Sequence, residues 1–90
     1  MPLRLTNEER DARAAQMREQ GAVGRSIRST CAAADPPVRL ADVAGEMGLD
    51  PESFSRYING RRVWPDGVDD LRIRTLAAYR AVRERQGVAA

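Results

Sequence analysis

Ninety residues with four aromatics, Phe54, Tyr57, Trp64 and Tyr79, make one small domain whose core must be built largely from Leu, Val, Ile, Met and Ala. Fifteen basic residues, all of them arginine, against thirteen acidic ones leave a net charge of +2, so any strongly positive face must come from local clustering. With no histidine and a single cysteine, Cys31, an intrachain disulfide and a Cys/His metal centre are both excluded.

Alternating runs of β-branched residues are absent, and the chain reads as all-α, a small bundle of four to five helices. Thr6 and Glu9 have the spacing of a capping box for a first helix over about Asn7–Gln20, whose apolar face is thin, made of Ala12, Ala15 and Met17. Gly21 and Gly24 weaken the helical signal, and a break is expected there. A fresh helix then runs over about Val23–Ala33, with Val23, Ile27 and Cys31 on one stripe and Cys31 as a small buried apolar residue. Asp35-Pro36-Pro37 ends it.

The next helix runs from Arg39 or Leu40 to Met47, and Gly48 supplies the positive φ of a tight corner. Asp50 caps a second short helix, with Pro51 in its first turn and Asn59-Gly60 as its stop. Phe54, Tyr57 and Val43 are spaced to lock these two helices together. Residues 61–67 form a loop by their Pro and Gly content. The last helix spans about Val68–Arg85, with Leu71, Thr75, Ala78 and Val82 on its inner face and Leu76 and Tyr79 flanking. The expected organisation is an N-terminal helical extension over 1–22, a main helical domain over 23–86 and a flexible tail over 87–90.

The stretch from Val38 to Gly60 has the spacing of a helix-turn-helix, whose second helix can lie in the major groove. Ala44, Gly48, Leu49, Phe54 and Tyr57, followed by Gly60 and Pro65, resemble the helix-turn-helix of phage repressors of the Cro and cI type, the Xre family. The resemblance covers roughly residues 23–82 and implies a lambda-repressor-like fold. The same stretch also resembles the headpiece of LacI-type repressors. Those carry the motif at the very N-terminus, ahead of a large sugar-binding domain, so the phage type fits better. The chain departs from the family in its additional N-terminal helix and in a loop carrying Trp64 and a double arginine.

The outward face of the second motif helix offers Pro51, Glu52, Ser53, Ser55, Arg56 and Asn59. The resemblance places Pro51, Glu52, Ser55 and Arg56 towards the groove, and Asn59 joins them as an expected base contact. Arg56 is the expected base reader, because its planar fork can bond guanine O6 and N7 together. The alternative for it is a surface ion pair with Glu52. Arg39, Ser53, Tyr57, Arg61 and Arg62 are the expected phosphate contacts, setting register without reading sequence. Trp64 either plugs the core beneath the loop or stacks at an interface.

These residues point to a sequence-specific, double-stranded DNA-binding regulator of transcription, a repressor of phage or mobile-element type. A homodimer on a two-fold site would double its contacts through one of the terminal helices. The alternative is a monomer that uses the N-terminal helix as an added grip. A rival reading, supported by Asp50, Glu52, Asp66, Asp69 and Asp70, is a helical protein-interaction module such as an antitoxin, anti-repressor or adaptor. No activated nucleophile, cofactor loop or small-molecule site is evident, so an enzyme is not expected. No segment is long and apolar enough for a membrane span, the start of the chain lacks a secretory apolar run, and a cytoplasmic location is expected.

Overall fold

The computed structural model describes residues 6–87. They form four helices, α1 (Asn7–Ala33), α2 (Leu40–Glu46), α3 (Pro51–Ile58) and α4 (Val68–Arg85), and no strand is present among them. The first five residues of the expected extension, and the expected tail beyond Gly87, lie outside the described residues.

The expected break at Gly21 and Gly24 does not occur, because α1 is a single rod of 27 residues, about 40 Å long. Each glycine costs a helix about 1 kcal/mol relative to alanine, but burial outweighs that. Gln20, Val23, Gly24, Ile27 and Cys31 are buried along one stripe. The helix crosses residue 22 without interruption, so the extension and the segment after it share one element. Its N-terminus is capped by Thr6, whose hydroxyl oxygen accepts the Glu9 N–H at 3.1 Å. The Glu9 carboxylate reaches back and accepts from the Thr6 hydroxyl at 3.1 Å.

At the end of α2, the Gly48 N–H donates to the Gly45 carbonyl and the Leu49 N–H to the Ala44 carbonyl. This closure needs positive φ at the intervening residue, and Gly48 has φ +72°. The end of α3 repeats it. Gly60 has φ +70°, its N–H reaches the Tyr57 carbonyl, and the Arg61 N–H reaches the Arg56 carbonyl.

The main core gathers Ile27 and Cys31 from α1, Val43 and Ala44 from α2, Phe54 and Ile58 from α3, and Ala78 and Val82 from α4, with Val38 beneath. Burial pushes the Cys31 thiol above its ordinary range, so it stays a neutral apolar filler. A second cluster of Val23, Trp64 and Leu71 sits under the 61–67 loop. Trp64 therefore plugs the core, the first of its two expected roles. The inner face of α4 is buried at Leu71, Thr75, Ala78 and Val82, as the spacing predicts. Between them, α1, α2 and α4 support α3, which packs directly on α1 and α2.

Candidate functional site

The start of α3 is fixed by its cap. One Asp50 carboxylate oxygen accepts the Ser53 N–H at 2.7 Å, and the other accepts the Ser53 hydroxyl at 3.0 Å. These bonds from the Ser53 backbone and hydroxyl hold the Asp50 carboxyl below its usual range. Pro51 occupies the first turn, where a missing N–H is harmless. Ser53, an expected phosphate contact, has its hydroxyl proton engaged by this cap.

The inner face of α3 is anchored by Phe54 and Ile58, each 1% exposed. Against it, α1 approaches so closely that a Cβ on Gly24 would overlap the Ile58 carbonyl. A Cβ on Gly60 would likewise meet the Met17 carbonyl. Two glycines, Gly24 within α1 and Gly60 just beyond the end of α3, let these backbones touch.

The outer face leaves Pro51, Glu52, Arg56 and Asn59 exposed and Ser55 half-buried. Arg56 donates from Nη2 to Glu52 Oε1 at 2.7 Å. The ion pair weighed against DNA contact is thus formed, yet the Arg56 side chain remains 52% exposed. A pair this open is worth only about 0.3–0.5 kcal/mol. Beside it, the Asn59 side-chain amide donates to the Ser55 hydroxyl at 2.9 Å and its carbonyl oxygen accepts from the Arg28 guanidinium. Ser55 and Asn59, both expected base contacts, are therefore joined to each other and, through Arg28, to α1.

The expected phosphate contacts fall into two groups. Arg61 and Arg62 are exposed directly beyond α3, and the Arg62 guanidinium lies 5.7 Å from the centre of the half-buried Tyr57 ring. The other side of that neighbourhood is Trp64, edge-on to Tyr57 with ring centres 4.8 Å apart. Arg39 stands apart from this group at the N-terminus of α2, where it pairs with Asp42 at 3.4 Å.

Sequence reasoning missed the residue that holds the 61–64 loop. Gln20 is fully buried. Its amide nitrogen donates to the Tyr57 and Arg62 carbonyls at 2.9 and 2.7 Å, and its carbonyl oxygen accepts the Trp64 N–H at 2.9 Å. Gln16 adds a bond to the Trp64 carbonyl at 2.9 Å. The signal was position: Gln20 lies on the same helical stripe as Val23, Gly24, Ile27 and Cys31. Arg28 was missed as well, and no local pattern pairs it with Asn59, 31 residues away.

No protein-family model, no curated protein and no solved structure matches this chain.

Proposed function

We propose that α2 and α3 form a helix-turn-helix, and that the protein is a sequence-specific double-stranded DNA-binding regulator, a repressor of phage or mobile-element type. The observation that carries this reading is the two-sided character of α3. Its cap and its buried Phe54 and Ile58 fix the helix, while Pro51, Glu52 and Arg56 stay exposed. An arginine fork on a rigid, exposed helix is suited to guanine in the major groove. Arg56 reads bases, with Glu52 orienting it or accepting from cytosine, and Ser55 and Asn59 extend the reading face. Arg61 and Arg62 grip phosphates, and Tyr57 and Arg39 are further phosphate contacts.

The acidic residues that favour the rival, a protein-interaction module, are mostly engaged within the fold. Asp50 caps α3, Glu52 pairs with Arg56, and Asp69 pairs with Arg72 at 2.8 Å. Asp70 accepts from the Trp64 indole at 2.7 Å and from Arg74 at 2.8 Å. That leaves Asp66 as the member of the set without an assigned partner, which is a weak basis for an acidic docking face.

A second copy of the chain is the protein partner in this reading. Ile73 and Leu76, 67% and 41% exposed, lie on the outer face of α4. Asp69, Ile73, Leu76 and Arg80 follow one another along a single stripe at helical spacing. In an antiparallel two-fold pairing of α4, Ile73 meets the partner's Leu76 and Asp69 meets the partner's Arg80. Such an interface brings two recognition helices to a two-fold site.

The test is selection of bound duplexes from a random pool, followed by mobility shift of the selected sequence at rising salt. Retention of one sequence family, weakening steeply with salt, supports the reading. No retention at low salt, together with co-purification of a different protein, supports the rival.

A further inference from the structure

The two flanks of α1 differ in charge. The flank towards the start of α4 carries Ala12, Ala15, Gln16 and Glu19, beside Val68 and Asp69. The flank towards α3 carries Arg18 and Arg25, which with Met17, Gly21, Asn59 and Gly60 line a shallow groove at the end of α3. Arg28, one turn further along α1, reaches Asn59 itself. Arg18, Arg25 and Arg28 are spaced to share a flank. Glu19, next to Arg18 in sequence, falls on the opposite flank. Among the described residues, no carboxylate pairs with Arg18, Arg25 or Arg28.

This flank continues the outer face of α3. Ser55 and Asn59 lie along that face, and the Ser55–Asn59–Arg28 hydrogen bonds carry it across onto α1. Arg61 is exposed at the same end, just past Gly60. Three unneutralised guanidinium groups on a rigid rod, beside a shallow groove whose other lining residues, Met17, Gly21, Asn59 and Gly60, carry no charge, suit an extended polyanion better than a compact acidic patch. From Arg18 to Arg28 the rod advances about 15 Å, far enough to meet successive phosphates of one strand.

We propose that this flank of α1 is a second DNA contact, in which Arg18, Arg25 and Arg28 hold the phosphate backbone beside the groove that receives α3. The proposal rests on the reading of α3 as the recognition helix. It assigns α1 a positioning contact that carries no sequence information and adds to the pull of Arg61 and Arg62. Arg28 has a double part, since it also holds Asn59 in place.

The test compares the full chain with the double variant Arg18→Ala/Arg25→Ala, whose side chains are exposed and outside the core. Affinity is measured by fluorescence anisotropy over a range of salt, for a selected duplex and for a random-sequence duplex. The expected result is an equal proportional loss on both duplexes and a salt slope shallower by about 0.9 for each arginine removed. Arg18→Lys/Arg25→Lys, which keeps the charge, retains most of the slope. Unchanged affinity and slope in the alanine variant, with the parent chain still binding, overturn the α1 contact and leave the α3 reading standing. Loss on the selected duplex alone also overturns it, because the arginines would then be reading bases. Failure of the parent chain to bind either duplex at low salt overturns both.

Discussion

The side-chain carbonyl of Gln20, buried in the middle of α1, accepts the backbone N–H of Trp64 at 2.9 Å. The amide nitrogen of the same residue takes the Tyr57 and Arg62 carbonyls. One side chain therefore satisfies three backbone groups at the junction between α3 and the arginine-bearing loop. Replacing Gln20 with Leu leaves those groups without partners, at about 1–3 kcal/mol for each that stays dry. Gln20→Leu is expected to lose about 3 kcal/mol in urea unfolding followed by Trp64 fluorescence. It is also expected to weaken DNA binding, because Arg61 and Arg62 lose their fixed geometry. Unchanged stability would mean that the loop does not depend on this amide.

Two glycines in helices are expected to respond to alanine in opposite directions. At Gly24 the new Cβ overlaps the Ile58 carbonyl, which is backbone and cannot swing away. The crossing of α1 and α3 must open, and Gly24→Ala is expected to destabilise by about 2–3 kcal/mol despite the better helix former. At Gly45 a Cβ meets nothing within 4 Å, and the residue is exposed inside α2. Gly45→Ala is expected to stabilise by about 0.5–1 kcal/mol. Chemical denaturation of the pair checks both signs under the same conditions.

The link between Arg56 and Glu52 sets a prediction about specificity. Arg56 gives one N–H to Glu52 and keeps its remaining donors available. Arg56→Ala is expected to cost about 1–3 kcal/mol of discrimination at one base pair while changing folding stability by no more than about 0.5 kcal/mol. Glu52→Gln removes a negative charge from the proposed DNA face and is expected to raise affinity for a random-sequence duplex. The selected duplex, which also loses the carboxylate that orients Arg56 or accepts from cytosine, gains less or weakens. Mobility shifts with single-base variants of the selected sequence separate the two effects. An Arg56→Ala protein with unaltered preference at every position would remove Arg56 from the reading face.

Acid sensitivity follows from two depressed carboxyls. The Asp70 carboxyl is held below its usual range mainly by the Trp64 indole N–H, with Arg74 adding to it. The Asp50 carboxyl is held down by the Ser53 backbone and hydroxyl. Each group is more acidic folded than unfolded. Its contribution is therefore complete above the ordinary aspartate value of about 3.9 and is lost as pH falls below it through the folded value. Urea midpoints of the parent chain are expected to hold steady from these groups above pH about 5 and to drop below pH about 4. Asp70→Asn is expected to narrow that drop, with the gap between the two proteins closing as pH falls. A gap that persists at low pH would exclude protonation of Asp70 as its source.

Much of the fold was legible because local and tertiary preferences agree. Asp50-Pro51, Asn59-Gly60 and the α4 stripe each carry a physical instruction that the structure follows. The break expected at Gly21 and Gly24 shows where local reading stops. A glycine weakens an isolated helix, yet Gly24 is what allows Ile58 to approach, and that partner lies 34 positions further along the chain. Gln20 was obscured for a related reason, since a polar residue on an apolar stripe is explained only once the backbone groups facing it are known. On α3 the exposure of Pro51, Glu52, Arg56 and Asn59 was legible in the sequence, whereas Ser53 and Ser55, expected on the same face, are half-buried. The hydrogen bonds that engage Ser53, Ser55 and Asn59 needed coordinates.

The stripe on α4 gives the last prediction. Exposed Ile73 and Leu76 form its centre, with Asp69 towards one end and Arg80 towards the other. A parallel pairing would set Asp69 against Asp69 and Arg80 against Arg80, whereas the antiparallel pairing opposes unlike charges. Asp69 already contacts Arg72 within its own chain at 2.8 Å, but that pair is open to solvent and easily exchanged. In the proposed dimer, Leu76→Glu would place a carboxylate in the apolar centre of both halves at once. It is expected to shift the protein to monomer in sedimentation velocity and to reduce affinity for a two-half-site duplex by about tenfold or more, with binding to a single half-site unchanged. The charge swap Asp69→Arg/Arg80→Asp keeps the antiparallel complementarity and is expected to preserve the dimer, whereas Arg80→Asp alone weakens it. A parent chain that sediments as a monomer at every concentration, with Leu76→Glu indistinguishable from it on both duplexes, would leave one copy per site and remove α4 from the assembly.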